Sequence, residues 1–228
     1  GSTSRLPPGR AGGINAAMPQ DPAPTPSAGS FSFSPRIAHQ RRMKGVKQAL
    51  AFPGSARGLP AWRRKLRAKL VDLMGYDHMP AKRGSLKVRS LWKREHHSGL
   101  GVVEKIVFTA EPGVDVPAYV CLPRETRLPG TWMICLQGHT TGMHHSIAAE
   151  RSDETTPMPP AGDRDFAVQC MRHGLSALCI EQRGFGVRTE GLERNPGLVP
   201  GPDQNCQLPA MRAIMLGHTI AAERLFDV

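Results

Sequence analysis

The sequence predicts an α/β fold, a mixed sheet with flanking helices. Three observations carry this expectation. Residues 86–91, 103–110 and 114–122 alternate apolar and polar side chains, with turn residues such as Glu111-Pro112-Gly113 between them, as antiparallel strands do. Two later runs, Trp132–Leu136 and Leu175–Ile180, are continuously apolar and flank a short helical pattern, which reads as a parallel pair covered on both faces. Each apolar run empties into a polar, glycine-containing loop, and in open α/β sheets ligands bind at the carboxyl ends of strands.

Taken in order, the chain divides into three stretches. Residues 1–35 are rich in Pro, Gly, Ala and Ser and lack apolar periodicity. They are expected to form a disordered tail, because they cannot bury enough surface to offset the entropy of ordering. The alternative is a structured arm packed on a partner. Residues 36–85 form a basic helical region. Between Arg36 and Arg94 there are seventeen Lys and Arg against two acids, so the excess of positive charge in the chain is concentrated there. Met43, Val46 and Leu50 are spaced for one helical face. Pro60 then opens a clearer helix, with Trp62, Leu66, Leu70 and Leu73 along one stripe and Gly75 as its stop. Arg63, Arg64, Lys65, Arg67 and Lys69 occupy its other sides. They read as the solvated cationic face of a packed helix, with a nucleic-acid or membrane surface as the functional alternative. No DNA-reading motif is present, so no specific nucleic-acid partner is expected.

Residues 86–228 carry the α/β pattern. Val103, Lys105, Val107 and Thr109 share one face of a strand, and Glu104, Ile106 and Phe108 the other. Pro117 in the next strand suggests a sheet edge. After Trp132–Leu136, Asp163 is placed to cap a helix with Asp165 in its first turn. Phe166, Ala167, Cys170 and Met171 form that helix's stripe, and Gly174 ends it. A right-handed crossover is expected to join the two apolar strands. Val187–Cys206 reads as a long loop, of the kind that often borders sites. A last helix is expected from Pro209 to about Phe226, with Met211, Met215, His218, Ala222 and Leu225 on one face and His218 a core or boundary histidine. A sheet with only two parallel strands would leave an exposed edge that invites pairing, so the chain is expected to continue past Val228.

Composition bounds the function. The five cysteines form no CxxC pair, and four lie in strand or helix patterns, which favours reduced thiols and a reducing, cytoplasmic compartment. No run approaches the length of a membrane span, no signal peptide is visible, and no membrane partner is expected. His139, His144 and His145 fit no standard zinc spacing, so no metal is expected. Gly138–Gly142 does not supply GxGxxG, so a dinucleotide site is disfavoured.

From about Trp62 to Val228 the chain resembles the N-terminal half of an α/β-hydrolase of the dienelactone-hydrolase and acetyl-xylan-esterase-like branch. The segments that carry the resemblance are GVVEKIVFTAEPGVDVPAYVCLP, ICLQGHTTG and DFAVQCMRHGLSALCIEQRGFGVR, in that order and spacing. It implies a serine esterase that acts on small or acetylated esters through a Ser-Asp-His set, with no cofactor. The family's GxSxG elbow is absent from this sequence. The resemblance places the nucleophile, acid and base after Val228, and this chain alone is expected to be inactive. It implies that the backbone N–H of His139 serves the oxyanion hole, with Thr140 as its neighbour. Gly138 and Gly142 would let substrate approach the backbone. Gln137 stands where the family usually has His, and Arg183 with Gly184 would brace the loops. The expected partners are a small ester substrate and the remainder of the hydrolase domain; self-association is left open. A rival reading is a non-catalytic α/β binding protein with a basic surface for polyanions.

Overall fold

The computed structural model describes residues 34–80, 87–125, 130–138, 141–159, 162–191 and 206–228. The chain divides into two units, Gly1–Ala51 and Phe52–Val228. In the first, helix α1 spans Pro35–Lys44 and buries none of its residues. It ends at Gly45, so Met43, Val46 and Leu50 do not share a helix. The structure of residues 1–33 lies outside the described residues.

The second unit begins with helix α2, Leu59–Met74. Pro60 fits its first turn, where an absent N–H costs no hydrogen bond, and Gly75 stops it in the left-handed conformation at φ 65°. Trp62 and Leu66 are half-buried, and Phe52 meets the Trp62 ring edge-on at 5.4 Å. Leu70 and Leu73, further along the expected stripe, are exposed.

The five-stranded sheet comprises β1 (Arg89–Glu95), β2 (Gly101–Glu111), β3 (Val114–Pro123), β4 (Trp132–Cys135) and β5 (Ser176–Ile180). Their spatial order is β1-β2-β3-β5-β4. All neighbours are antiparallel except β4 and β5, which are parallel, so the sheet is mixed as expected. Alternation along β2 and β3 sorts side chains onto two faces. Val103, Tyr119, Cys121 and Cys179 join Met143, Ile147, Ala167 and Met171 in the larger core, and Ile106, Val116, Ala118 and Ile180 form the core on the other face. Lys105 falls on the larger-core side. Its ammonium lies 2.5 Å from Glu154, which also accepts from Tyr119 Oη at 2.7 Å.

Pro117 is not at a sheet edge, because β3 lies between β2 and β5. Proline is tolerated there because β5 pairs with β3 only from Ala118 onward. Pro117 contributes its carbonyl, which accepts from Glu181 N–H, and needs no N–H of its own.

Strand β4 departs from the expectation of burial on both faces. Among the described residues it pairs with β5 alone, and Trp132, Met133 and Ile134 are exposed.

Helix α3, Phe166–Arg172, connects β4 to β5. Asp165, not Asp163, occupies its N-cap position; Asp163 has positive φ and stands outside the helix. At the other end Gly174 N–H bonds Met171 O and Leu175 N–H bonds Cys170 O, a Schellman closure that turns the chain straight into β5.

The expected final helix is two helices, α4 (Leu208–Met215) and α5 (Ile220–Asp227). The break has two causes. Gly217 adopts φ 85°, outside helical geometry, and Thr219 caps α5 by accepting from Ala222 N–H at 3.2 Å. The predicted face is split as well: His218 and Ala222 are buried, whereas Met211, Met215 and Leu225 are exposed. The turn docks on the end of α2. Thr219 donates from N and Oγ1 to Met74 O, and a Cβ on Gly75 would lie 2.8 Å from His218 Cα. Met79, Ala222 and Phe226 pack there with Met74 and Tyr76.

Candidate functional site

Two loops leave the carboxyl ends of the parallel strands. The first follows β4 and runs through Gln137, Gly138, Thr141 and Gly142 into the 3-10 turn Met143–Ile147. The second follows β5 and runs from Glu181 through Arg183, Gly184 and Gly186 to Arg188. Parallel pairing sets Cys135 beside Cys179, so both loops start at the same level of the sheet.

The loops touch directly. Gly186 N–H donates to Thr141 O at 3.1 Å. A Cβ on Gly142 would lie 2.6 Å from Gly186 Cα and 2.8 Å from the His144 ring. Glycine at 142 is therefore required by contact between backbones. Gly138, by contrast, is exposed and has open space where a Cβ would sit.

Gln137 is buried and ties the start of its loop to three other segments. Its Nε2 donates to Ser146 Oγ and to Arg164 O, each at 2.7 Å, and its backbone carbonyl accepts from Gln182 Nε2. Gln137 thus anchors the loop with its side chain turned inward. Thr141 Oγ1 closes the loop by donating to Gly138 O at 2.6 Å. His139 and Thr140, the expected oxyanion residues, lie outside the described residues.

Arg183 points away from the loop mouth toward the end of the chain. It donates from Nε and Nη2 to the two oxygens of Asp227 at 2.9 and 2.8 Å, and from Nη2 to Glu111 at 2.6 Å. Burial opposes its charge, but Asp227 and Glu111 outweigh burial and raise its pKa. Arg188 adds a second guanidinium on Asp227 at 2.6 Å. Arg224 donates to the Arg183 carbonyl at 2.8 and 3.0 Å. The second loop is therefore fastened to α5 and β2 by a buried, forked ion-pair network. Gly184 takes positive φ within it, and its carbonyl accepts from Thr189 Oγ1.

Glu181 bridges the two loops, and sequence reasoning missed it. Its side chain is buried, with 1% of the residue exposed. Oε1 accepts from Met143 N–H at 2.9 Å and Oε2 from Val187 N–H at 3.2 Å, one donor from each loop. Burial lifts its pKa to about 8, against the pull of those two N–H groups, Arg188 and Lys105. The available signal was an acid directly ending an apolar strand, a position at which a carboxylate must find donors or stay neutral. Asp227 was missed for a different reason: its partners lie 39 and 44 residues away.

The remaining candidates serve structure. His144 is buried and its pKa falls to about 4, first through burial and then through His145 and Arg151. His145 shifts in the same direction, chiefly through burial. His218 pairs with Glu223 at 3.0 Å. Ser146 is fully buried beneath Gln137. Cys135 and Cys179 are buried with pKa values raised far above the ordinary thiol, which makes them poor nucleophiles. Among the described residues no group of three or more His, Cys, Asp or Glu could hold a metal ion. Among the same residues no helix is long and apolar enough to cross a membrane.

A family model described as "Abhydrolase family" matches residues 27–195. No curated protein matches the sequence. Among solved structures, the chain is similar to a Bacteroides fragilis protein provisionally assigned as an acetyl xylan esterase, at 14% identity and TM-score 0.64. The match covers 86% of this chain and 48% of that one, so the chain spans about half the length of this relative. A methylesterase (18% identity, TM-score 0.42, 67% of this chain and 28% of that one) matches more distantly. So does a glucuronoyl esterase from Solibacter usitatus (11%, 0.35, 54% and 36%). Neither of the last two bears on the fold at that distance.

Proposed function

The chain belongs to the Abhydrolase family of α/β-hydrolases, and on that premise we propose that it forms the oxyanion side of a serine-esterase site. The observation that carries this reading is the loop after β4, anchored at both ends and braced against the second glycine loop. A tetrahedral acyl intermediate needs N–H donors fixed in advance where negative charge will develop, and a loop held in this way can supply them. The backbone N–H of His139 is assigned that role, with Thr140 beside it. Gly138 leaves open space for an acyl group to approach.

In this proposal the catalytic Ser, Asp and His lie beyond Val228. The sheet supports that arrangement. Among the described residues β5 already has neighbours on both sides, β3 and β4, so the parallel pair is open to extension at the outer side of β4. A further parallel strand there would cover the exposed Trp132, Met133 and Ile134 and would end beside the Gln137–Gly142 loop. A serine at its carboxyl end could attack a carbonyl held by that loop, with the imidazole taking its proton. The proposed substrate is a small or acetylated ester. Likeness to the Bacteroides fragilis protein supports the fold on which such chemistry runs.

The test is hydrolysis of p-nitrophenyl acetate by a protein extended past Val228, with residues 1–228 as control. Turnover by the longer protein and none by the control is expected. No turnover by the longer protein refutes the esterase reading. The five exposed cations of α2 favour a second reading, a polyanion-binding surface. Nucleic-acid binding that survives physiological salt would support it.

A further inference from the structure

Consecutive residues of the β5 end hold opposite ends of the loop after β4. Gln182 Nε2 donates to Gln137 O at the proximal end, and Glu181 Oε1 accepts from Met143 N–H at the distal end. His139 and Thr140 lie between these two points in sequence. The second oxygen of Glu181 accepts from Val187 N–H, and its backbone is held by Pro117 O and Arg188 Nη1. The carboxyl also fills the space where a Gly186 side chain would begin, since a Cβ there would lie 2.5 Å from Glu181 Cδ. It is thus fixed on every side while being too buried to touch substrate.

We propose that Glu181 is the positioning residue of the oxyanion loop, with Gln182 as its counterpart at the other end. The inference rests on the esterase reading above. The chemistry selects a carboxyl group: two N–H donors from different loops need two acceptor oxygens, and a primary amide offers only one. Gln at this position keeps the volume but turns an NH2 group toward one of the donors. One loop end is then released while the fold around it is kept. Oxyanion donors act on the transition state more than on bound substrate, so misplacing them lowers kcat and leaves KM nearly unchanged.

The experiment compares Glu181→Gln and Gln182→Ala with the unaltered protein extended past Val228. Gln182 is only half-buried, so its variant keeps the test open if Glu181→Gln does not fold. Kinetics with p-nitrophenyl acetate and amide hydrogen exchange at Met143 and Val187 are measured together. A kcat lowered about tenfold to a hundredfold with KM within about twofold is expected for each variant, below the full loss of an oxyanion donor. In Glu181→Gln, faster exchange at one or both amides should accompany it. An active unaltered protein whose variants keep kcat within about twofold overturns the positioning role. Unchanged exchange in folded Glu181→Gln overturns the clamp itself. Absence of turnover in the unaltered protein overturns the esterase reading, and the catalytic part of this inference with it, whatever the exchange shows.

Discussion

Gly186→Ala probes the meeting point of the two loops without altering a charged group. Two costs arise in the folded state. Gly186 sits at φ 48°, where an L-residue with a Cβ costs about 1–2 kcal/mol. The new Cβ would also lie 2.5 Å from Glu181 Cδ and 2.8 Å from its Oε1, so the buried carboxyl must move. Moving it withdraws an acceptor from Met143 N–H, Val187 N–H or both, and a buried donor left unpaired costs about 1–3 kcal/mol. The sum is about 2–5 kcal/mol if a single donor is lost, a large part of the roughly 5–15 kcal/mol that stabilises an ordinary domain. Urea denaturation followed by far-UV circular dichroism reads it as a lower midpoint at unchanged slope. Gly138→Ala is the control, since φ is not positive there and its Cβ meets nothing within 4 Å. It should stay within about 0.5 kcal/mol of the parent. If Gly186→Ala costs under about 1 kcal/mol, the tight contact between loop and carboxyl is not what holds the two loops together.

Other consequences follow from the same contacts. Asp227→Ala takes the paired carboxylate from Arg188 and leaves Arg183 with Glu111 as its close partner, and should cost about 3–5 kcal/mol in thermal or urea unfolding. A loss below about 1 kcal/mol would contradict the network. Arg183→Lys should destabilise as well, because an ammonium cannot reproduce the two-pronged bond to Asp227 together with the Glu111 contact. His144 has a folded pKa near 4 against 6.5 unfolded, so the folded state binds fewer protons between those values. Stability therefore declines as pH falls from 6.5 to 4, by about 3 kcal/mol from this group. His144→Gln should show a shallower decline, and an identical pH dependence would refute the assignment. Iodoacetamide on the native protein should label Cys206 and, more slowly, Cys170, whose thiol burial pushes up to about 11. Cys121 and Cys179 should label only after unfolding, which mass spectrometry resolves.

The strands were legible because each reports its surroundings locally. Alternation from Val103 to Ala110 is the direct trace of one face toward the larger core and one toward the smaller core. Local signals misled wherever a second segment decided the outcome. Pro117 looked like an edge residue because the sequence does not show where β5 stops pairing. Asp163 looked like a cap because it precedes an apolar stripe, yet the chain enters the helix only at Asp165. The Pro209–Phe226 pattern read as one helix because the cost of a single internal glycine is small. The docking of Thr219 on Met74, 145 residues earlier, is what makes the break favourable.

The sequence alone therefore determined the α/β class, the antiparallel-then-parallel order of strands, and the two glycine loops at the strand ends. All of these follow from hydrophobic period and turn chemistry, which act over a few residues. Tertiary structure alone decided what joins those loops. The Glu181 carboxyl shared between Met143 and Val187, the Gln182 bond to Gln137, and the Arg183–Asp227 fork all pair groups distant in sequence. Their partners are selected by burial, where a polar group must be satisfied by whatever the fold brings near it, and no local pattern records that choice.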